Sequence, residues 1–216
     1  MPKILTMRSI YFFIVALLLA FVACKKHEPT VSGGTTLPSH QNPTYEIGDY
    51  FHNDTLEGIV FLTYGDYNGM IVSLDEAFLP WCIPNHVNSE TGATNPYDGW
   101  HNTNILMSNY DLNHYPAIHW SHLKNTWHLV HQNYQITSRQ WFVPSSVELS
   151  KLLQNQAAVN ATLESLGYPN LEDKAYWSST ELGTRSAASL RMQDSSVVVI
   201  ESVKDQTFYV RAVRNF

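Results

Sequence analysis

Apolar and polar positions change rhythm three times along this chain. From Ile10 to Ala23 there are 14 uncharged, mostly apolar residues; a helix crossing the ~30 Å hydrocarbon core of a membrane needs about 20, so the run is too short for a permanent span. Residues 25–44 then read KKHEPTVSGGTTLPSHQNPT, with three prolines, the Gly33-Gly34 pair and almost no large apolar side chain. Nothing there can drive a core, and the segment reads as a tether. A flexible chain of that length reaches roughly 25 Å. From Tyr45 to Phe216 apolar residues recur at strand and helix spacing, with no second linker, no repeat and no low-complexity tract.

Within Tyr45–Phe216 the first signals are strands. Tyr45 to Tyr50, Gly58 to Thr63 and Gly69 to Leu74 are rich in β-branched and aromatic residues, and Asn68-Gly69 is a hairpin-type dipeptide between the last two. From Asp75 to Gln140 turn clusters such as Asn95-Pro96-Tyr97-Asp98-Gly99 alternate with helical spacing over Trp100 to Tyr110 and Pro116 to Leu123, so this middle region is expected to be largely irregular. After Trp141-Phe142-Val143-Pro144, Ser145 and Glu148 form an S-x-x-E capping box, and Val147, Leu149, Leu152 and Leu153 supply one apolar face. That helix should run to about Asn155. A second, over Val159 to Leu166, ends at Gly167, which suits a left-handed C-cap. Ala175 to Ser178, Ala188 to Met192, Val197 to Val203 and Phe208 to Val213 are strand-like. Strands, then helices, then strands without βαβ alternation define an α+β domain.

The N-terminus places Lys3 and Arg8 before the apolar run and Cys24 directly after Phe21-Val22-Ala23. Basic residues, a short apolar segment and small residues make a secretory signal peptide. With the cysteine at its end it resembles the bacterial lipobox, in which the thiol is acylated and becomes the new N-terminus; Phe21 stands where leucine is common. The expected organisation is therefore a signal peptide over 1–23, the lipidated Cys24 with its tether over 24–44, and one domain over 45–216. Lys25 after the cysteine gives no inner-membrane retention signal, so the expected place is the outer membrane, palmitate-anchored, at the cell surface.

Charge and cysteine content narrow the partners. Cleavage before Cys24 removes Lys3 and Arg8 and no acid, leaving 11 cations against 19 acids and a net charge of −8. Such a chain has no footprint for nucleic acid. Once Cys24 carries lipid only Cys82 remains, so no intramolecular disulfide can form; between Trp81 and Ile83, Cys82 reads as a small buried hydrophobe. Aromatic residues reach 12% and charged residues only 15%, as suits a large aromatic core or an aromatic ligand surface.

Four segments carry a resemblance: Tyr45-Glu46-Ile47-Gly48-Asp49-Tyr50, Trp141 through Leu149 (WFVPSSVEL), Tyr176-Trp177-Ser178-Ser179-Thr180-Glu181, and Tyr209-Val210-Arg211-Ala212-Val213-Arg214. Together they resemble the domain at the C-terminus of the Legionella collagen-like adhesin and of many Gram-negative surface lipoproteins, a relative of the formylglycine-generating-enzyme and C-type-lectin-like folds. The resemblance implies a C-type-lectin-like domain closed by pairing of its N- and C-terminal strands, Tyr45–Tyr50 with Phe208–Val213. It also implies adhesion, to a glycan or to a host or matrix protein. The enzyme relatives use cysteines late in the domain, and none follows Cys82 here; the calcium motifs of sugar-binding lectins are absent as well. The expected function is thus a lipid-anchored, non-enzymatic binding module needing no cofactor, with a structural or fimbria-associated lipoprotein acting through protein contacts as the alternative.

Candidate binding residues lie in the middle region, since recognition concentrates on loops held by a scaffold. Trp81, Trp100, Trp120 and Trp127, among Asn and His donors, have the chemistry to stack on sugar faces and bond hydroxyls. Trp141 and Trp177 lie in scaffold segments and are expected in the core. His119 and His122, then His128 and His131, form two H-x-x-H pairs near His114. Imidazoles so spaced can share an ion, but no Asp or Cys ligands accompany them, and they are read as structural. Ser178 and Ser179 lack the surroundings of a nucleophile elbow.

Overall fold

The structure, a computed structural model, describes residues 44–53, 56–65, 67–132, 140–172 and 174–216, with the side chains of 126–132 left aside. The elements in order are β1 (Tyr50–His52), β2 (Glu57–Thr63), β3 (Gly69–Val72), β4 (Ala77–Pro80), α1 (Gly99–Asn109), α2 (Pro116–Gln132), α3 (Ser146–Gln154), α4 (Gln156–Ser165), β5 (Tyr176–Gly183), β6 (Ser186–Gln193), β7 (Ser196–Val203), β8 (Thr207–Val210) and β9 (Val213–Asn215). The class is α+β. One sheet has the order β1-β2-β3-β9, the other β4-β8-β5-β6-β7. All pairings are antiparallel except β5 with β8, which meet in parallel at Tyr176 and Tyr209.

Each sheet is covered on both faces, and the strands show it. In β2, Ile59 and Phe61 enter one core while Val60, between them, enters another. That is why the sequence reads Ile-Val-Phe without polar alternation. The main core joins Ile59, Phe61, Met70 and Val72 to Leu149, Leu152, Leu153, Val159 and Leu163 of α3 and α4, and to Tyr176, Ala188 and Leu190 of the larger sheet. On the opposite face of that sheet a second core gathers Trp81, Cys82, Leu106, Tyr115, Ile118, Val143, Trp177 and Val210. Burying such a side chain contributes about 1.5–3 kcal/mol.

Local signals are realised where they predicted helix ends. Ser145 Oγ accepts from Glu148 N and the Glu148 carboxylate accepts from Ser145 N at 2.7 Å, completing the capping box of α3. Gly167 (φ +77) closes α4, with Gly167 N bonded to Glu164 O and Tyr168 N to Leu163 O, a Schellman arrangement.

Four expectations are corrected. Tyr45–Asp49 is a turn, with Glu46 N donating to Asp49 Oδ2 and Gly48 at φ +98, so the strand begins only at Tyr50. The β2–β3 connection spans residues 64–68, closed by Tyr64 N to Asn68 O at 2.7 Å, and Gly69 sits in the ladder opposite Thr63. Gly69 is required there by crowding: a Cβ would lie 2.8 Å from the Phe216 ring. Phe208–Val213 is broken at Arg211, leaving β8 in one sheet and β9 in the other. Finally, the terminal strands do not pair, since β1 and β9 occupy opposite edges with the β2–β3 hairpin between them. A local hairpin closes a shorter loop at lower entropic cost. The chain ends still meet through rings, with Phe216 centred 4.7 Å from Phe51 and 5.3 Å from Tyr45.

Candidate functional site

The expected loop surface is mostly helical. Between Trp81 and Gln140 the structure places α1, α2 and two 3-10 turns at Pro84–His86 and Leu112–His114. Asp98 caps α1 by accepting from His101 N at 2.8 Å. Trp81 is fully buried and its indole donates to Ser178 O at 3.0 Å, which removes it as a ligand contact. Its apolar area is worth more inside than exposed, and its N–H finds a partner there. Trp100 is half-buried against Phe142 and the main core. Trp120 is half-buried between two cores, with Lys124 Nζ 4.4 Å above its ring. The side chains of Trp127, His128 and His131, on α2, lie outside what the structure describes, as does Cys24. Trp81 and Trp120 thus share the second core while Trp100 packs on the main one, and all three are wholly or half-buried. Trp141 and Trp177 are buried, in line with their scaffold positions.

Among the described residues no three His, Cys, Asp or Glu side chains converge as a metal site. His119 and His122 are half-buried on α2, and burial, with the charge of His119, holds His122 below its ordinary value. His114 instead stacks on His86 at 3.8 Å. Ser178 Oγ donates to Ala188 O and Ser179 Oγ accepts from Asn102, both buried in structural bonds. Cys82 is fully buried, and burial pushes its thiol up to about 11.

Two buried charge clusters hold the chain together. Glu181 on β5 accepts from Thr91 N and Gly92 N at 2.9–3.0 Å and pairs with Lys204. Gly92 (φ +78) turns successive N–H groups toward one carboxylate, a backbone nest. Lys204 Nζ also donates to Ser89 O and Thr184 O, each at 2.8 Å, so the segment around 89–92 is clamped to the sheet. The second cluster sits at the break between β8 and β9, where Arg211 donates to Ser73 O, Leu74 O, Pro169 O and Glu76. Lys174 and the Tyr176 hydroxyl also reach Glu76. Burial, with the Glu76 charge, drives Tyr176 well above its ordinary value. Glu181 and Arg211 lie inside the Y-W-S-S-T-E and V-R-A-V-R segments, but nothing in those segments names the distant groups they meet.

The described surface also carries an aromatic pair that includes no tryptophan. Phe78, 58% exposed, packs on Tyr209 at 4.8 Å, and Lys174 Nζ stands 4.4 Å over the Tyr209 ring. Phe78 is on β4 at the sheet edge, and only pairing with β8 brings it to Tyr209.

The fold is thus an α+β domain of two sheets with buried ionic clamps. That architecture is similar to the crystal structure of a fimbrial protein from Bacteroides ovatus ATCC 8483, with a TM-score of 0.61 and 17% identity over 80% of this chain. The match spans 49% of that protein, so this chain corresponds to about half its length. No family model and no curated protein matches the sequence.

Proposed function

We propose that this chain is an exported, lipid-anchored surface protein whose domain is a non-enzymatic, fimbria-associated module working through protein contacts. The observation that carries the reading is the architecture shared with a fimbrial protein over most of this chain. The basic, apolar and Cys24 sequence of the N-terminus supports export and lipid attachment. The acidic mature chain suits an extracellular surface rather than nucleic acid. Crosslinking on intact cells followed by detergent solubilisation tests it: the protein is expected in a crosslinked species with a fimbrial subunit. Absence of any such species, in cells that display fimbriae, would overturn the reading.

A second reading, adhesion to a glycan without calcium, is favoured by exposed Phe78 tilted against Tyr209, whose ring Lys174 covers, since an exposed ring with an adjacent donor suits a sugar face. It also keeps the resemblance to the adhesin-type lectin-like domains. A glycan array with wild type and Phe78→Ala tests it; signal equal in both would remove that face from the reading.

A further inference from the structure

The outer edge of the larger sheet is β7, Ser196–Val203, and among the described residues no strand pairs with its far side. Its hydrogen-bond phase follows from the β6–β7 turn. Asp194 (φ 49) and Ser195 (φ 62) are both left-handed, the signature of a two-residue type I′ hairpin, so Gln193 and Ser196 are a bonded pair. Bonded pairs recur every second residue, which makes them Arg191–Val198, Ser189–Ile200 and Ala187–Ser202 in a register of eight pairs without a shift. Lys204 N to Arg185 O at 3.0 Å keeps the same phase. The backbone N–H groups of Val197, Val199, Glu201 and Val203 therefore point away from β6, along the open edge, with the carbonyls of the first three.

The side chains do not defend this edge. Natural edges are blunted by proline, lysine, bulges or short length. β7 is eight residues of SVVVIESV, regular throughout, with Val199 55% and Val203 36% exposed. Its one charged side chain, Glu201, accepts from Ser186 Oγ at 2.6 Å within its own sheet.

Charge decides what would cover it. The edge is acidic, with exposed Asp194 before β7, Glu201 within it and exposed Asp205 after it, while the nearest cation in the strand direction, Lys204, is buried. The exposed Arg185 and Arg191 belong to β6 and its turn, and Arg191 is bonded to Gln193. A second copy, paired antiparallel about Ile200, would set Asp194 of one molecule opposite Gln206 of the other and diagonal to its Asp205 at both ends, bringing like charges together across strands, which is destabilising. An extended strand carrying Lys or Arg meets no such conflict. We propose that β7 is a docking edge for an extended, lysine- or arginine-bearing segment of another protein, which adds to the larger sheet as a sixth strand. The inference names the contact surface of the fimbria-associated reading and rests on it.

Residue-resolved hydrogen exchange on the full chain tests it, with a synthetic peptide of alternating valine and threonine carrying two lysines, and its analogue carrying two glutamates. The lysine peptide is expected to slow exchange at the Val197, Val199 and Glu201 amides at least tenfold, and the glutamate peptide to leave them fast. Val199→Lys should abolish the slowing while Val198 and Ile200, bonded to β6, stay protected, showing an intact sheet. Unchanged exchange with the lysine peptide overturns the edge, equal slowing by both peptides overturns its charge preference, and protection that rises with protein concentration alone overturns the foreign strand in favour of a second copy. Val199→Lys protein that still crosslinks to the fimbrial subunit on intact cells overturns β7 as the fimbrial contact and leaves the association standing. Wild type that binds the lysine peptide but gives no crosslink to a fimbrial subunit supports the edge and overturns the association.

Discussion

Lys204 and Glu181 form a fully buried ion pair at 2.5 Å that ties the end of β7 to β5 and, through Thr91 and Gly92, to the segment before α1. Removing one member of such a pair leaves an uncompensated buried charge and costs about 3–5 kcal/mol. Lys204→Met is expected to lose that much in urea unfolding, and Glu181→Gln combined with Lys204→Met, which removes both charges and keeps an acceptor for Thr91 and Gly92, to recover part of it. A single variant as stable as wild type would show that the pair holds nothing.

A second constraint couples α1 to α3. Gly99 N donates to Glu148 Oε2 at 3.0 Å, and a Cβ on Gly99 would lie 2.5 Å from Ser145 N and 2.6 Å from Val143 O. Both obstacles are backbone, so they cannot swing aside. Gly99→Ala should cost about 1–3 kcal/mol, read as a lowered urea midpoint at unchanged slope.

Glu148 itself is held above its ordinary 4.5 by burial, against the opposing bonds from Ser145 and Gly99. An acid raised in the folded state contributes stability that is complete below its unfolded value and lost as pH climbs through the folded one. Glu148→Gln keeps an acceptor for both N–H groups and cannot ionise. The stability difference between the two proteins should therefore move in favour of the variant as pH rises from about 4.5. A pH-independent difference across repeated urea titrations would contradict this.

How far the sequence disclosed this structure follows from the range of each interaction. The Ser145–Glu148 box and the Gly167 cap act within one helical turn, and both were legible. Tyr45–Tyr50 looked like a strand because its side chains favour one, yet Gly48 adopts a left-handed turn whose carbonyl accepts from Thr162 on α4 at 2.6 Å. Phe208–Val213 looked continuous because Arg211 gives no sign, in one dimension, that it will reach carbonyls of Ser73 and Leu74, nearly 140 positions away. Trp81 opens the turn-rich middle region, and nothing local marks it as core, because its partner Ser178 is 97 positions distant. The same separation hid Phe78 and Tyr209, which only the β4–β8 register brings together.

Cys82, legible as a buried residue, gives a chemical test. With Cys24→Ala it is the sole thiol of the chain. Full burial and a thiol raised from 9.0 to about 11 leave neither access nor thiolate at pH 8. A disulfide reagent should react at pH 8 only after urea unfolds the protein, and native stability should fall as pH climbs from 9 through 11. Labelling of the native protein at the unfolded rate would contradict the packing of the second core.

The most direct test of the proposed function is digestion of intact cells with a protease too large to cross the outer membrane. Wild-type protein, labelled through Cys24 by growth in tagged palmitate, should lose its domain within the digestion while a periplasmic marker stays whole, and Cys24→Ala should carry no label. A domain that is cut only after the cells are lysed would contradict surface display and, with it, a fimbria-associated role.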